Sequence, residues 1–187
     1  MTKILNIHLE ELNSQLIQSL QQEFGKDAEV ELRLRDATPA DSFLSEADFW
    51  QIINKIDWSQ KTTETQLQSA VQALAQMPVT SIYLFADKLS EKLYQLDTRA
   101  HGDAYVVNED DDYLSVDDFL YVRCAIVAEG QQYYENILQH PAELNNEISF
   151  EPLLHLADDA YKLKTGKEMN YIPAYNYETY SNKEAWQ

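Results

Sequence analysis

The sequence predicts a mainly α-helical protein, in which a multi-helix, antiparallel, bundle-like domain follows a small strand-helix-strand appendage. After residue 43, apolar residues recur at the i, i+3, i+4 spacing of amphipathic helices. The connections between these segments are short, which favours antiparallel neighbours. Before residue 36, by contrast, two segments alternate apolar and polar residues, a pattern typical of strands.

The appendage is predicted over residues 1–36. Apolar and polar residues alternate in KILNIHL and AEVELRLRD, while EELNSQLIQSLQQEFG between them has apolar residues four apart and ends in Gly25, a typical helix terminator. Two strands are too few to be stable alone, so we expect an exposed strand edge that pairs two copies as a homodimer. Residues 37–42, which include Pro39, form the predicted linker, and residues 43–187 form the helical domain.

Signals for helix starts recur within the helical domain. Ser45 and Asp48 have the spacing of a capping box, and Ser115 and Asp118 repeat it before DFLYVRCAIVAEG. This last segment is apolar around most of its circumference, so we expect it at the centre of the domain. Pro78 precedes a longer amphipathic helix.

The net charge of the chain limits the kinds of molecule that it can bind. Fourteen basic against 32 acidic side chains give a net charge of -18, which repels nucleic-acid phosphates and anionic lipids. A basic protein partner, a cation or solubility alone would all account for this charge, and solubility is the simplest of the three. No apolar run is long enough to span a membrane, and the start lacks the features of a signal peptide. The single cysteine, Cys124, agrees with a reducing compartment. We therefore expect a cytoplasmic protein that binds neither nucleic acid nor membrane.

The stretch LYQLDTRAHGDAY contains three candidate site residues, Asp97, Arg99 and His101. If one helix ran through it, Arg99 would point away from the face that Asp97 and His101 share. Gly102 predicts that the helix ends there, with His101 at a C-terminus that favours an imidazolium. Two interpretations stay open: a structural helix end, or a pocket in which the unwound end turns Arg99 and His101 toward Asp97 or Arg123.

Arg123 is the most informative single residue, because it lies inside the most apolar segment. An unpaired buried charge costs several kcal/mol, so we expect a carboxylate partner, with Asp57 and Asp97 as candidates. A structural ion pair and an anion-binding role both fit. Lysine should replace Arg123 poorly if the contact is bidentate.

Two tryptophans complete the candidate pocket. Trp50 and Trp58 bracket the first helix of the domain, where large rings seal a core edge or wall a ligand pocket. No metal is expected, because His155 with Asp158 and Asp159 is too small a ligand set. No cofactor is expected either, since the chain has four glycines and no phosphate-binding, hydrolase or zinc motif.

Four blocks with distinctive residues such as the Asp-Thr pair and Arg123-Cys124 carry a family resemblance. They are FWQIINKIDW, LFADKLSEKLYQLDTRAH, FLYVRCAIVAEGQQYYENIL and FEPLLHLADDAYKLKTGK, spanning residues 49 to about 167. In order and spacing they resemble a bacterial family catalogued as domain of unknown function 4240. The resemblance implies a mostly helical fold without an established activity, and the appendage lies outside it.

Two functional hypotheses follow. The first is a non-catalytic, acidic protein-interaction module, an adaptor or a neutralising, immunity-like protein of the bacterial cytoplasm, that engages a basic partner. The second is a small anionic ligand-binding or enzymatic pocket around Arg99, His101 and Arg123. The absence of catalytic motifs favours the first, and whether the protein is an enzyme stays undecided.

Overall fold

The structure is a computed structural model that describes residues 14–25, 43–107 and 113–187. The chain divides into two compact units, Met1–Ala37 and Thr38–Gln187. In the described residues all regular structure is helical and no strand is formed, which confirms a mainly α protein. The predicted strands at residues 3–9 and 28–36 and the predicted linker at 37–42 lie outside the described residues.

The described part of the first unit is helix α1, Ser14–Phe24. Leu16 and Leu20 are half-buried on one side, and Ile17 is exposed. Gly25 follows with φ 91°, and its N–H donates to the carbonyl of Gln21 at 3.0 Å. The helix of the predicted appendage is therefore present, and it ends at the predicted glycine.

The second unit contains seven α-helices in the described residues. They are α2 (Glu46–Ile53), α3 (Thr63–Gln76), α4 (Val79–Gln95), α5 (Arg99–Val107), α6 (Val116–Ala128), α7 (Gln131–Gln139) and α8 (Leu156–Thr165). Two short 3-10 helices, Pro141–Glu143 and Glu151–His155, lie between α7 and α8. None of the described helices is both long and apolar enough to cross a membrane.

Helix α2 begins where the capping signal predicts. Ser45 Oγ accepts from the Asp48 N–H at 3.1 Å, and the Asp48 carboxylate accepts from the Ser45 N–H at 2.9 Å. These reciprocal bonds satisfy amide donors that a helix start leaves without intrahelical partners. The predicted capping box is therefore confirmed.

Helix α6 is central to the core, as its all-round apolar sequence predicts. From Phe119 to Ala128 every residue except Tyr121 is buried. It packs against α4, α7 and the Glu151–His155 turn, while α8 packs against α3 and α4. Phe49, Phe85 and Ile126 are completely buried at the middle of this core.

The long helix predicted after Pro78 is α4, but this helix does not continue to an end at Gly102. Helix α4 stops at Gln95, residues 96–98 form a break, and α5 starts at Arg99. Thr98 Oγ1 accepts from the His101 N–H at 3.3 Å, the bond of a helix N-cap. The predicted helix end at Gly102 is therefore wrong, and the real break comes at the Asp-Thr pair.

Candidate functional site

Asp97 lies in this break and is completely buried. Its Oδ1 accepts from the Tyr180 N–H at 3.1 Å and from the Trp186 indole N–H at 2.8 Å. Its Oδ2 accepts from the Asn182 N–H at 3.0 Å and from the Ser181 hydroxyl at 3.2 Å. All four donors belong to one segment, residues 171–187, which we call the strap.

Arg123 is also completely buried. Its guanidinium lies 4.8 Å from the ring of Phe119, and it donates from Nη1 to the carbonyl of Leu93 and from Nη2 to Thr179 Oγ1, both at 2.9 Å. Nε is buried without a hydrogen-bond partner. Burial lowers the pKa of Arg123, and the negative charge of Asp97 opposes that shift.

The strap connects these two buried charges. Thr179 Oγ1 accepts from Arg123 and donates to the carbonyl of Val116 at 2.7 Å. The next three strap residues bind Asp97. Of the ion pairs between described residues, none joins Arg123 to Asp97 directly. Each charge is instead held mainly by hydrogen bonds, and four consecutive strap residues, 179–182, contribute to them.

His101 is buried in the first turn of α5, and not at a helix C-terminus as predicted. Nδ1 is 2.7 Å from Thr98 Oγ1, and Nε2 is 3.1 Å from the carbonyl of Ile137. A carbonyl only accepts, so Nε2 carries a hydrogen. Burial lowers the pKa of His101; the bond to Ile137 opposes this shift, and the charge of Arg123 adds to it. Its interactions are those of a packed core histidine.

Arg99 is exposed and holds the end of the strap. Its backbone N–H donates to the carbonyl of Ala185 at 3.0 Å, and its guanidinium donates to the carbonyl of Trp186 at 2.5 Å. An open cleft of about 690 Å³ adjoins it. The lining residues are Arg99, Gly102, Asp103, Val106, Leu114, Tyr180 and Trp186. His101 and Arg123 do not line this cleft, so the three basic residues do not face one cavity.

Gly102 lies against the strap. A methyl group at Gly102 would collide with the indole ring of Trp186 and approach Leu114 Cδ1 to 2.9 Å. The same indole packs against Tyr180 with a centroid distance of 4.5 Å and edge-on to Phe119 at 6.3 Å. The glycine thus allows Trp186 to sit directly on helix α5.

The other predicted pocket residues make their contacts elsewhere. Trp50 is buried in α2 and donates to Glu46 at 2.9 Å. Trp58 is 46% exposed and packs its ring on Phe150. Asp57 accepts hydrogen bonds from Ser59 and Gln60 within its own turn, which lower its pKa, and it does not pair with Arg123.

A second feature is an acidic surface around Tyr121 of α6. The Tyr121 side chain is half-buried, and its pKa is raised first by this partial loss of solvent and then by the charges of Glu151, Asp117 and Asp118. Every charged neighbour that shifts the Tyr121 pKa is therefore a carboxylate. In the described residues no three acidic, cysteine or histidine side chains converge in a geometry that could hold a metal ion.

Sequence reasoning missed the role of the strap residues Thr179, Asn182 and Trp186. It identified Asp97 and Arg123 but looked for their partners among carboxylates and nearby residues. The signal available was indirect: two buried charges without a convincing partner require donors and acceptors from another segment. Backbone amides supply two of the donors to Asp97. Every non-proline residue has one, so the sequence does not show which of them bind.

The comparison with protein families identifies this domain. A family model described as a protein of unknown function, DUF4240, matches residues 44–163, which include Asp97, Arg123 and all helices from α2 to α7. The strap lies beyond the matched residues. No curated protein matches the chain, and no solved structure matches it. Because the match covers more than half of the 187 residues, the chain belongs to the DUF4240 family of proteins of unknown function.

Proposed function

We propose that the protein is a non-catalytic interaction module that binds a basic protein partner through the acidic surface of Asp117, Asp118 and Glu151. The observation that carries this proposal is the environment of Tyr121: the charges that raise its pKa are those of Glu151, Asp117 and Asp118, and all three residues are exposed. None of the ion pairs between described residues includes these carboxylates. Carboxylates gathered on one surface create a negative potential that attracts and orients a basic partner. The net charge of -18 extends that field around the chain.

The state of the reactive side chains supports a non-catalytic role. Burial raises the pKa of the Cys124 thiol to about 12, so the nucleophilic thiolate is scarce at neutral pH. Both ring nitrogens of His101 are engaged in hydrogen bonds, and both oxygens of Asp97 accept two each. A general base must reach its substrate proton, and these groups are already committed to partners within the chain.

The test compares two variants with the same change in net charge. In the first, Asp117→Asn, Asp118→Asn and Glu151→Gln neutralise the acidic surface. In the control, Glu129→Gln, Glu135→Gln and Glu143→Gln neutralise exposed carboxylates at or beyond the other end of α6. Proteins captured from a lysate of the source cell are eluted with increasing salt and identified by mass spectrometry.

We expect a basic protein that the wild type and the control retain and the first variant loses. Its release by moderate salt would agree with contacts between exposed charges. Equal retention by both variants would contradict the proposal, because binding would then depend on net charge and not on this surface. Retention of no protein by the wild type would contradict it as well.

A further inference from the structure

A groove formed by residues 93–102 together with Val116, Phe119 and Arg123 is distinct from the acidic surface, and its occupant is the strap. Its two buried charges, Asp97 and Arg123, are held largely by that one segment. We propose that this groove is a peptide-binding site that the strap occupies in cis. Its external ligand would be a segment of a partner protein with a hydroxyl side chain, a turn that presents backbone amides, and an indole.

The chemistry of the groove is that of peptide recognition. Asp97 accepts from the backbone N–H groups of Tyr180 and Asn182, which any non-proline residues would supply. The carbonyl of Tyr94 accepts from the Asn182 side chain at 3.2 Å, and the Arg99 guanidinium donates to a backbone carbonyl. Main-chain contacts of this kind provide affinity for a chain segment of that shape.

Side-chain selectivity comes from two positions. The Thr179 hydroxyl accepts from Arg123 and donates to Val116, so a ligand residue there must be able to do both. The Trp186 indole donates to Asp97 and fills the space above Gly102. A bulky aromatic group with an N–H donor meets both requirements, and alanine meets neither.

Two observations separate the groove from its present occupant. The groove lies inside the family-matched residues 44–163, whereas the strap follows them. In addition, Arg123 Nε is buried without a hydrogen-bond partner among the described residues, so the contacts of this arginine are not all satisfied with the strap in place. Buried donors are nearly always satisfied, so a ligand that brought an acceptor to Nε would add a contact that the strap does not make.

Binding in trans must compete with the strap. A segment tethered by a short linker has an effective concentration on the order of millimolar, so a peptide at micromolar concentration should bind the wild type poorly. Weakening the strap without changing the groove should remove this competition. Thr179→Ala with Trp186→Ala does so, because both substitutions alter only the strap.

The experiment uses the full chain and a labelled peptide of residues 174–187 with its native sequence. Fluorescence anisotropy measures binding to the wild type and to the T179A/W186A chain, while hydrogen exchange of the Tyr180 and Asn182 amides reports release of the strap. We expect faster exchange in T179A/W186A and peptide binding at least about tenfold tighter than in the wild type. A peptide with Trp186→Ala should bind neither protein.

Groove variants in the T179A/W186A background test the site itself. Asp97→Asn should weaken peptide binding by about tenfold or more, whereas Asp159→Asn, the same chemical change at an exposed site on α8, should leave it unchanged. Should Asp97→Asn not fold, Gly102→Ala serves instead, because alanine favours the helix yet fills the indole seat. It should abolish binding of the native peptide.

Three results would overturn the proposal. A folded T179A/W186A chain with an exposed strap that binds peptide no better than wild type would make the strap a fixed part of the fold. Persistent protection of the strap amides would show that it is not held by the contacts described. A wild-type dimer in sedimentation that Gly102→Ala dissociates would assign the groove to a second copy of the chain.

Discussion

Two regions of the helical domain bury basic side chains in opposite ways. Lys92, whose side chain is 12% exposed, lies 2.7 Å from the Glu46 carboxylate and beneath the rings of Trp50 and Tyr134. Arg123 is completely buried, has no direct carboxylate partner among the described residues, and relies on Leu93 and the strap.

The two contacts differ in where their partners come from. One is formed entirely by neighbouring helices, and the other is completed by a segment that is distant in the sequence. The Lys92 cluster is contained within helices α2, α4 and α7, which all lie in the family-matched residues. Burial alone would raise the pKa of Glu46, but the hydrogen bond and charge of Lys92 lower it. The Arg123 environment instead needs residues that follow the match, so its stability depends on where the strap is.

Arg123→Ala should have the largest effect on stability. It removes a cation that interacts with buried Asp97 and the donor that holds Thr179, so we expect the free energy of unfolding to fall by about 3–5 kcal/mol. Chemical denaturation measures it. Arg123→Lys should rescue little, because one ammonium cannot reproduce the fork to Leu93 and Thr179. A loss well below 1 kcal/mol would mean that Arg123, like Lys92, contributes little to stability.

Asp97→Asn should have the second-largest effect on the free energy of unfolding. The amide oxygen can keep part of the acceptor capacity, but its NH₂ group would face donors, so we expect a loss of about 2–3 kcal/mol. Urea denaturation checks this value. Asp57→Asn is the matched control, because that carboxylate bonds only within its own turn and should matter far less. Similar losses for the two variants would refute the central position of Asp97.

Lys92→Met should cost less than either, because the methionine stem keeps its packing on Trp50 and Tyr134 while Glu46 remains 44% exposed to solvent. We expect a loss of about 1 kcal/mol or less, and unchanged exchange of the strap amides. Thermal unfolding and hydrogen exchange provide the two readouts. If strap amides were released, the two regions would be coupled and the comparison between them would fail.

Substitution of His101 should have the smallest effect on stability. It extends the comparison to a buried basic side chain that is neutral. Its folded pKa lies below the ordinary value of 6.5, so the unfolded chain binds its proton first as the pH falls. Stability should be full above about pH 7, fall as the pH drops below 6.5, and level off below the folded pKa. Denaturation of wild type and His101→Gln between pH 7.5 and 5 should show a shallower loss in the variant, since both share all carboxylates. Equal pH profiles would argue against a neutral buried His101.

Local sequence signals predicted the helices well where the physical cause is local. The capping box at Ser45 and Asp48 and the all-round apolar pattern of α6 both correspond to the structure. Gly102 was misinterpreted because a glycine near the end of an apolar run usually terminates a helix. Here the absence of a side chain admits Trp186, which is 84 positions away in the sequence (186 - 102).

The amino-acid sequence by itself determined the helical class, the acidic field and the presence of charged residues that need partners, because periodicity, net charge and the cost of burying a charge are properties of residue types. Only the tertiary structure decided that the partners of Asp97 and Arg123 come from the strap. Hydrogen bonds to backbone amides depend on where the chain passes and not on which side chains it carries. For that reason the groove can be recognised only in the tertiary structure, where the segment after α8 lies in it.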